Sequence, residues 1–133
     1  AFIGLLDPQA HRLSFHSGGQ GPILHYRAAT RSCASHRPTS FPLGAMPLAR
    51  TRPAVAVDLE PGDVLLLLSD GYYEYEDAGG EQFGEARVRD LVAARHGQPA
   101  PALLAELMAA VAEFAGGAAQ QDDMTAVVIR RAP

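Results

Sequence analysis

Residues 64–68, Val-Leu-Leu-Leu-Leu, constrain this chain most. A strand with one wet face alternates apolar and polar residues, and this run does not alternate. It is apolar on both faces and therefore reads as a buried strand. The turn Glu60-Pro61-Gly62-Asp63 precedes it, and Ser69-Asp70-Gly71 stops it abruptly. A plain Asp-Gly turn explains such a stop. A strand that delivers a carboxylate to the edge of a core, where a cation can sit, explains it equally well.

The flanking segments place this strand in a sheet. Residues 1–6 are apolar and end in the turn Asp7-Pro8-Gln9-Ala10. Residues 11–17 alternate, with Leu13 and Phe15 on one side and Ser14 and His16 on the other. After Gly18-Gly19-Gln20-Gly21-Pro22, Ile23 to Tyr26 resume as a short strand, and the three read as an antiparallel meander. Residues 27–53, with Pro38, Pro42, Pro47 and Pro53, read as one long connection, with Cys33 in loop. Residues 54–59 return to strand character. Two helices follow. The first carries Val88, Leu91, Val92 and Arg95 at helical spacing. The second carries an apolar stripe of Leu103, Leu104, Leu107, Met108, Val111, Phe114 and Ala115 between Pro99/Pro101 and Gly116-Gly117. A final strand spans 125–130. Strands, two helices and a strand make an α+β domain, an antiparallel sheet covered by helices, with 1–133 as a single unit.

Composition narrows the function. With 133 residues and 47% hydrophobic content, the chain can bury a core. Its formal charge of −4 implies no basic face, which argues against a nucleic-acid partner. One cysteine cannot staple the fold, and no partner base lies near it in sequence to activate the thiol. No apolar stretch has transmembrane length, so membrane insertion is not expected and a cytoplasmic setting is. The start within the apolar run Ala1-Phe2-Ile3-Gly4-Leu5-Leu6 reads like the middle of a domain.

Asp70 follows one strand, and Asp122-Asp123 precede another. If the two strands are antiparallel neighbours, the acids reach the same edge of the sheet. Carboxylates so close repel unless a cation neutralises them. Their oxygens suit the hard ions Mg²⁺, Mn²⁺ and Ca²⁺, and the five histidines and one cysteine show no zinc-like spacing. Singly, each acid also reads as ordinary turn chemistry.

The motifs are more specific as a set. "PGDVLLLLSDGYYEYEDAGGEQFGEARV" followed by "FAGGAAQQDDMTAVVIRR" resembles the C-terminal part of PPM/PP2C-type serine/threonine phosphatases, in the bacterial SpoIIE/RsbU-like group. The matched elements are Pro61-Gly62-Asp63, Ser69-Asp70-Gly71, Glu74, Phe83-Gly84-Glu85 and Gln121-Asp122-Asp123-Met124-Thr125; "SFHSGGQGPILHY" and "FPLGAMP" match upstream. The resemblance implies an αββα sandwich of two antiparallel sheets flanked by helices. It implies two Mn²⁺ or Mg²⁺ ions, with Asp70 and Asp122 as metal ligands. Asp123 lies beside the metal, and Gly71 lets the backbone pass close to it. The nucleophile in such enzymes is a metal-bridging water and not a side chain. The implied substrate is a phosphorylated regulator, such as a STAS-type anti-sigma-factor antagonist. A sensor or receiver domain on the same polypeptide would govern the activity.

The family's N-terminal metal-binding motifs have no counterpart in residues 1–63. The domain is therefore expected to be incomplete at its N-terminus, weak or inactive as a catalyst alone, and open to homodimer formation through uncovered sheet surface. Gln20 stands where the family commonly has histidine, which removes a proton role but keeps hydrogen bonding. His16 reads as a surface residue. Tyr72, Tyr73 and Tyr75 read as packing or as a substrate groove, and Arg27, Arg31, Arg37, Arg50 and Arg52 as solvated or anion-binding. A non-catalytic phosphatase-like module that binds partners or dimerises is the alternative function.

Overall fold

The computed structural model describes residues 1–47, 50 and 52–133. Its strands are β1 (Phe2–Asp7), β2 (Arg12–Ser17), β3 (Ile23–Arg27), β4 (Ser32–His36), β5 (Val55–Asp58), β6 (Val64–Leu68) and β7 (Ala126–Arg130). Its helices are α1 (Asp70–Tyr73), α2 (Gly84–Arg95) and α3 (Ala100–Ala115). Two antiparallel sheets form, in the orders β1-β2-β5 and β4-β3-β6-β7.

β6 sits inside the larger sheet, and the two-residue period explains why all five of its residues are buried. Val64, Leu66 and Leu68 face α2 and α3, packing with Leu24, Tyr26, Val88, Val92, Leu103, Leu107 and Val111. Leu65 and Leu67 face the smaller sheet and pack with Leu13, Phe15, Ile23, Val57 and Leu59. Each such leucine contributes roughly 1.5–3 kcal/mol by leaving water. The layers are therefore helices, sheet, sheet. Among the described residues no helix covers the outer face of β1-β2-β5, and Ile3 and Leu5 there are 71% and 76% exposed.

Several sequence-based expectations change. β1 and β2 pair, but β3 does not continue their meander; it crosses to the other sheet and pairs with β4 and β6. The stretch read as one long connection contains β4, and Cys33 lies in that strand, half-buried, not in a loop. Burial raises its thiol pKa, the opposite of activation. Leu48, Ala49 and Thr51 of the same stretch lie outside the described residues. In α3 the buried line is Leu103, Leu107, Val111 and Ala115, while Met108 is half exposed. Pro99 precedes its first turn, and Gly116 closes it in the left-handed conformation that glycine adopts without strain.

The turn before β6 is anchored by a buried acid. Asp63 accepts the backbone N–H of Ala28 (2.8 Å) and of Glu60 (3.1 Å), and its carboxylate lies 3.0 Å from Nε2 of His25. Both side chains of that pair are 2% exposed. The Pro-Gly-Asp motif thus holds the end of β6 opposite Asp70.

Candidate functional site

β6 and β7 are antiparallel neighbours, with Leu68 opposite Ala126. The residues just beyond them, Ser69-Asp70-Gly71 and Asp122-Asp123, therefore meet at one edge of the sheet. Ser69 joins the two segments. Its Oγ donates to the Asp123 carbonyl (2.8 Å) and accepts from Thr125 N–H (2.9 Å), and its own N–H donates to the Thr125 carbonyl (2.9 Å). The Ser-Asp-Gly motif was visible in the sequence; the serine's role as a clasp was not. The only signal for it was the inferred pairing of the two strands.

Gly71 explains the second motif residue. A Cβ built there would lie 2.5 Å from the Asp123 carbonyl oxygen and 3.3 Å from that of Asp122. Any larger residue would push the α1 turn away from the 122–123 loop. The close approach expected of Gly71 is present, against the backbone of the acidic loop. Asp122 is oriented locally, with its Oδ1 accepting the Asp123 N–H at 2.7 Å and its carbonyl accepting from Nε2 of Gln120 at 2.8 Å.

Asp70, Asp122 and Asp123 are all solvent-exposed. A polar hollow of about 280 Å³ opens between the segments, lined in part by Gly71, Glu74, Glu76, Gln121 and Asp122. Its donors are carboxylate and amide oxygens, the chemistry of a hard divalent cation. The fit extends to part of a coordination shell. Among the described residues, no group of three or more His, Cys, Asp or Glu side chains comes together to enclose an ion. A roomier hollow of about 580 Å³, between Pro38, Phe41, Pro42, Met46, Arg50 and Arg52, holds no carboxylate. Asp122 lines the smaller one, together with Glu74 and Glu76, whereas Asp70 is not among its lining residues.

Neighbouring residues brace the edge. Gln20 donates from Nε2 to the Leu68 carbonyl at 2.6 Å and so holds the last residue of β6. Tyr73 donates its hydroxyl to the Pro22 carbonyl (3.2 Å) and Tyr75 donates to the Ala118 carbonyl (3.0 Å). Tyr72 and Tyr73 are buried, and burial raises both phenol pKa values. They pack, as the simpler of the two readings had it. His16 is exposed on the bare face of β2. Arg50 and Arg52 line the roomier hollow, while Arg37 borders a hollow with Arg89 and Glu85.

Comparison with known proteins agrees with this architecture. No curated protein matches the chain by sequence. Among solved structures, the PP2C domain of SiaA from Pseudomonas aeruginosa superimposes with a TM-score of 0.78 at 24% identity, over 97% of this chain and 50% of that one. The RsbU and RsbW domains of Rv1364c from Mycobacterium tuberculosis give 0.76 at 26%, over 99% and 36%. The phosphatase domain of SpoIIE from Bacillus subtilis, presoaked with Mn, gives 0.69 at 19%, over 99% and 56%. The chain thus spans about half the length of these chains or less, and its two sheets and three helices form about half of a PP2C fold. The family model for stage II sporulation protein E matches residues 1–132. With that match over nearly its whole length, the chain belongs to the SpoIIE family of PP2C-type phosphatase domains.

Proposed function

We propose that this chain is the C-terminal portion of a metal-dependent phosphatase domain that hydrolyses phosphoserine or phosphothreonine on a signalling regulator. The observation that carries the reading is the β6–β7 pairing, which brings Asp70 and Asp122 to one sheet edge. These two residues would hold Mn²⁺ or Mg²⁺ through their carboxylates, with further ligands from outside this chain. Such an ion supplies Lewis-acid stabilisation of charge on a phosphoryl group. The chain's own residues fix the geometry. Ser69 clasps the two acidic segments, Gly71 lets them touch, Gln20 holds the last carbonyl of β6, and the Asp123 N–H orients Asp122. In this reading the substrate is a phosphorylated STAS-type regulator, a sensor or receiver domain on the same polypeptide controls the activity, and the setting is cytoplasmic.

The second reading is a phosphatase-like module that binds partners or dimerises without turnover. Mn²⁺-dependent hydrolysis of p-nitrophenyl phosphate separates the two. The assay compares the longest natural polypeptide carrying this segment with its Asp70→Asn variant. The expected outcome is metal-dependent turnover that drops at least about a hundredfold in the variant, the usual scale when a group essential to charge stabilisation is removed. A folded protein inactive with every divalent metal would leave the binding module as the better account. The 133-residue chain alone is expected to be weak or inactive.

A further inference from the structure

We propose that Thr39 is a positioning residue for the acidic edge: through Ser17 and Gln20 it fixes the end of β6, and with it the start of the Ser69-Asp70-Gly71 segment. The inference rests on the metal-dependent reading above and deepens it. The relay begins with a gap in the sheet. Ser69 N–H donates to the Thr125 carbonyl, so Ser69 bonds on the β7 side. Backbone groups alternate in direction along a strand, and those of Leu68 therefore turn to β3. The register that sets Leu67 against Ile23 puts Leu68 against Pro22. Proline has no N–H to offer the ladder. The Leu68 carbonyl takes its donor from Nε2 of Gln20 instead, at 2.6 Å. A side chain thus stands in for a backbone bond two residues before Asp70.

Gln20 is held in turn. Its backbone carbonyl accepts from Oγ of Ser17, the last residue of β2. Ser17 meets a gap of its own. Gly18 exchanges backbone bonds with Ala1 on the β1 side. By the same alternation the backbone groups of Ser17 turn to the side of β5. The pairing with β5 stops at Phe15, opposite Val55, and Ser17 lies beyond it. Thr39 fills that place. Its Oγ1 accepts the Ser17 N–H at 2.9 Å and donates to the Ser17 carbonyl at 3.0 Å, and its own N–H donates to that carbonyl at 2.9 Å.

The contacts run from the segment after β4, through the end of the smaller sheet, to the end of β6 in the larger one. Ser17 and Thr39 are both buried. Satisfied polar networks in an interior rigidify what they join. The hydroxyl of Thr39 is the sensitive link. The Ser17 carbonyl also receives the Ser40 N–H at 2.9 Å, so it keeps donors without that hydroxyl. Among the described residues the Ser17 N–H has no other acceptor, and a buried donor left without one is costly. Removing the hydroxyl alone should shift Ser17, release Gln20 and free the Leu68 carbonyl.

The test uses the longest natural polypeptide carrying this segment, with each variant checked for folding by circular dichroism. Mn²⁺ affinity is read by titration calorimetry, and amide hydrogen exchange across 69–73 is read in the metal-free protein. Thr39→Val keeps the side chain's shape and loses its hydroxyl. It should weaken Mn²⁺ binding about tenfold, the scale for groups that hold a metal ligand in place, and speed exchange across 69–73. Ser17→Ala cuts the relay at its middle link and should move both readouts the same way. Combining the two should add little, because they act in one chain of contacts. Thr39→Ser, which keeps the hydroxyl, should stay near wild type. A role in stability alone would lower the melting temperature and leave both readouts unmoved below it. A folded Thr39→Val with wild-type affinity and exchange, a Thr39→Ser as impaired as the valine, or fully additive losses would each overturn the proposal. If Thr39→Val does not fold, Ser17→Ala decides, and wild-type values there overturn it. A wild type that takes up no Mn²⁺ sinks the metal-dependent reading instead, while exchange in the metal-free protein still judges the relay.

Discussion

The two sheets use the same strand chemistry to different ends. In β4-β3-β6-β7 the helices cover one face and the second sheet covers the other. In β1-β2-β5 one face is buried and the other is open, with Ile3, Leu5 and His16 toward solvent. Each sheet also has an aspartate paired to one of its side chains. His25–Asp63 is 2% exposed on both sides, whereas Arg12–Asp58 is 53% and 58% exposed. The lesson is that a residue pattern sets strand character, and the layer outside it sets what each side chain is worth.

Removing the buried acid should break this contrast hardest. Asp63→Ala leaves His25 and two backbone N–H groups without their acceptor, and should cost about 3–5 kcal/mol in denaturant melts. Arg12→Ala, which touches only the solvated pair, should leave the unfolding midpoint unchanged within error. Next come the leucines. Leu66→Ala, between the helices and β6's neighbours, should cost about 2–5 kcal/mol, while Leu5→Ala, measured in dilute solution, should stay within about 0.5 kcal/mol of wild type. If the two leucines cost the same, another layer covers the bare face.

The smallest expected effect sharpens the comparison between the sheets. His36 lies in the layer between them, edge-on to Phe15 and stacked with His25. Burial, then the positive charges of His25 and Arg27, hold its pKa below the usual value near 6.5. Among the described residues neither Nε2 of His36 nor Nδ1 of His25 has a hydrogen-bond partner, so a proton on His36 finds no acceptor there. The folded state therefore binds this proton less readily than the unfolded chain does. The stability from neutral His36 is complete above about pH 6.5 and is lost as pH falls toward the depressed folded value. Urea midpoints at pH 7.5 and pH 5 should differ more for wild type than for His36→Leu, and equal differences would assign the acid sensitivity elsewhere.

Much of this architecture was legible because the signals were local. β6 announced itself by composition, α3 by its spacing and its Pro and Gly boundaries, and the acidic edge by two strands ending and starting in aspartate. The sheet membership of β3 was not legible. Ile23–Tyr26 reads as a strand in either sheet, and only the crossing at Gly18–Pro22 decides. β4 escaped notice because Ser-Cys-Ala-Ser-His has no apolar alternation; it forms because β3 offers it a ladder. At the candidate site the acids and Gly71 were visible as a motif. The clasp by Ser69 and the brace from Gln20 were not, since each reaches a residue about fifty positions away.

The three-way grip of Asp63 has a consequence for exchange with solvent. Ala28 and Glu60 sit outside the strands, where amide protons normally trade with water through small local openings. Here each donates to a carboxylate sealed beneath the sheet. Releasing either proton means lifting the start of β6 out of the core. Their exchange clocks should therefore run with those of Leu65 and Leu66, marking two turns that open only when the domain does.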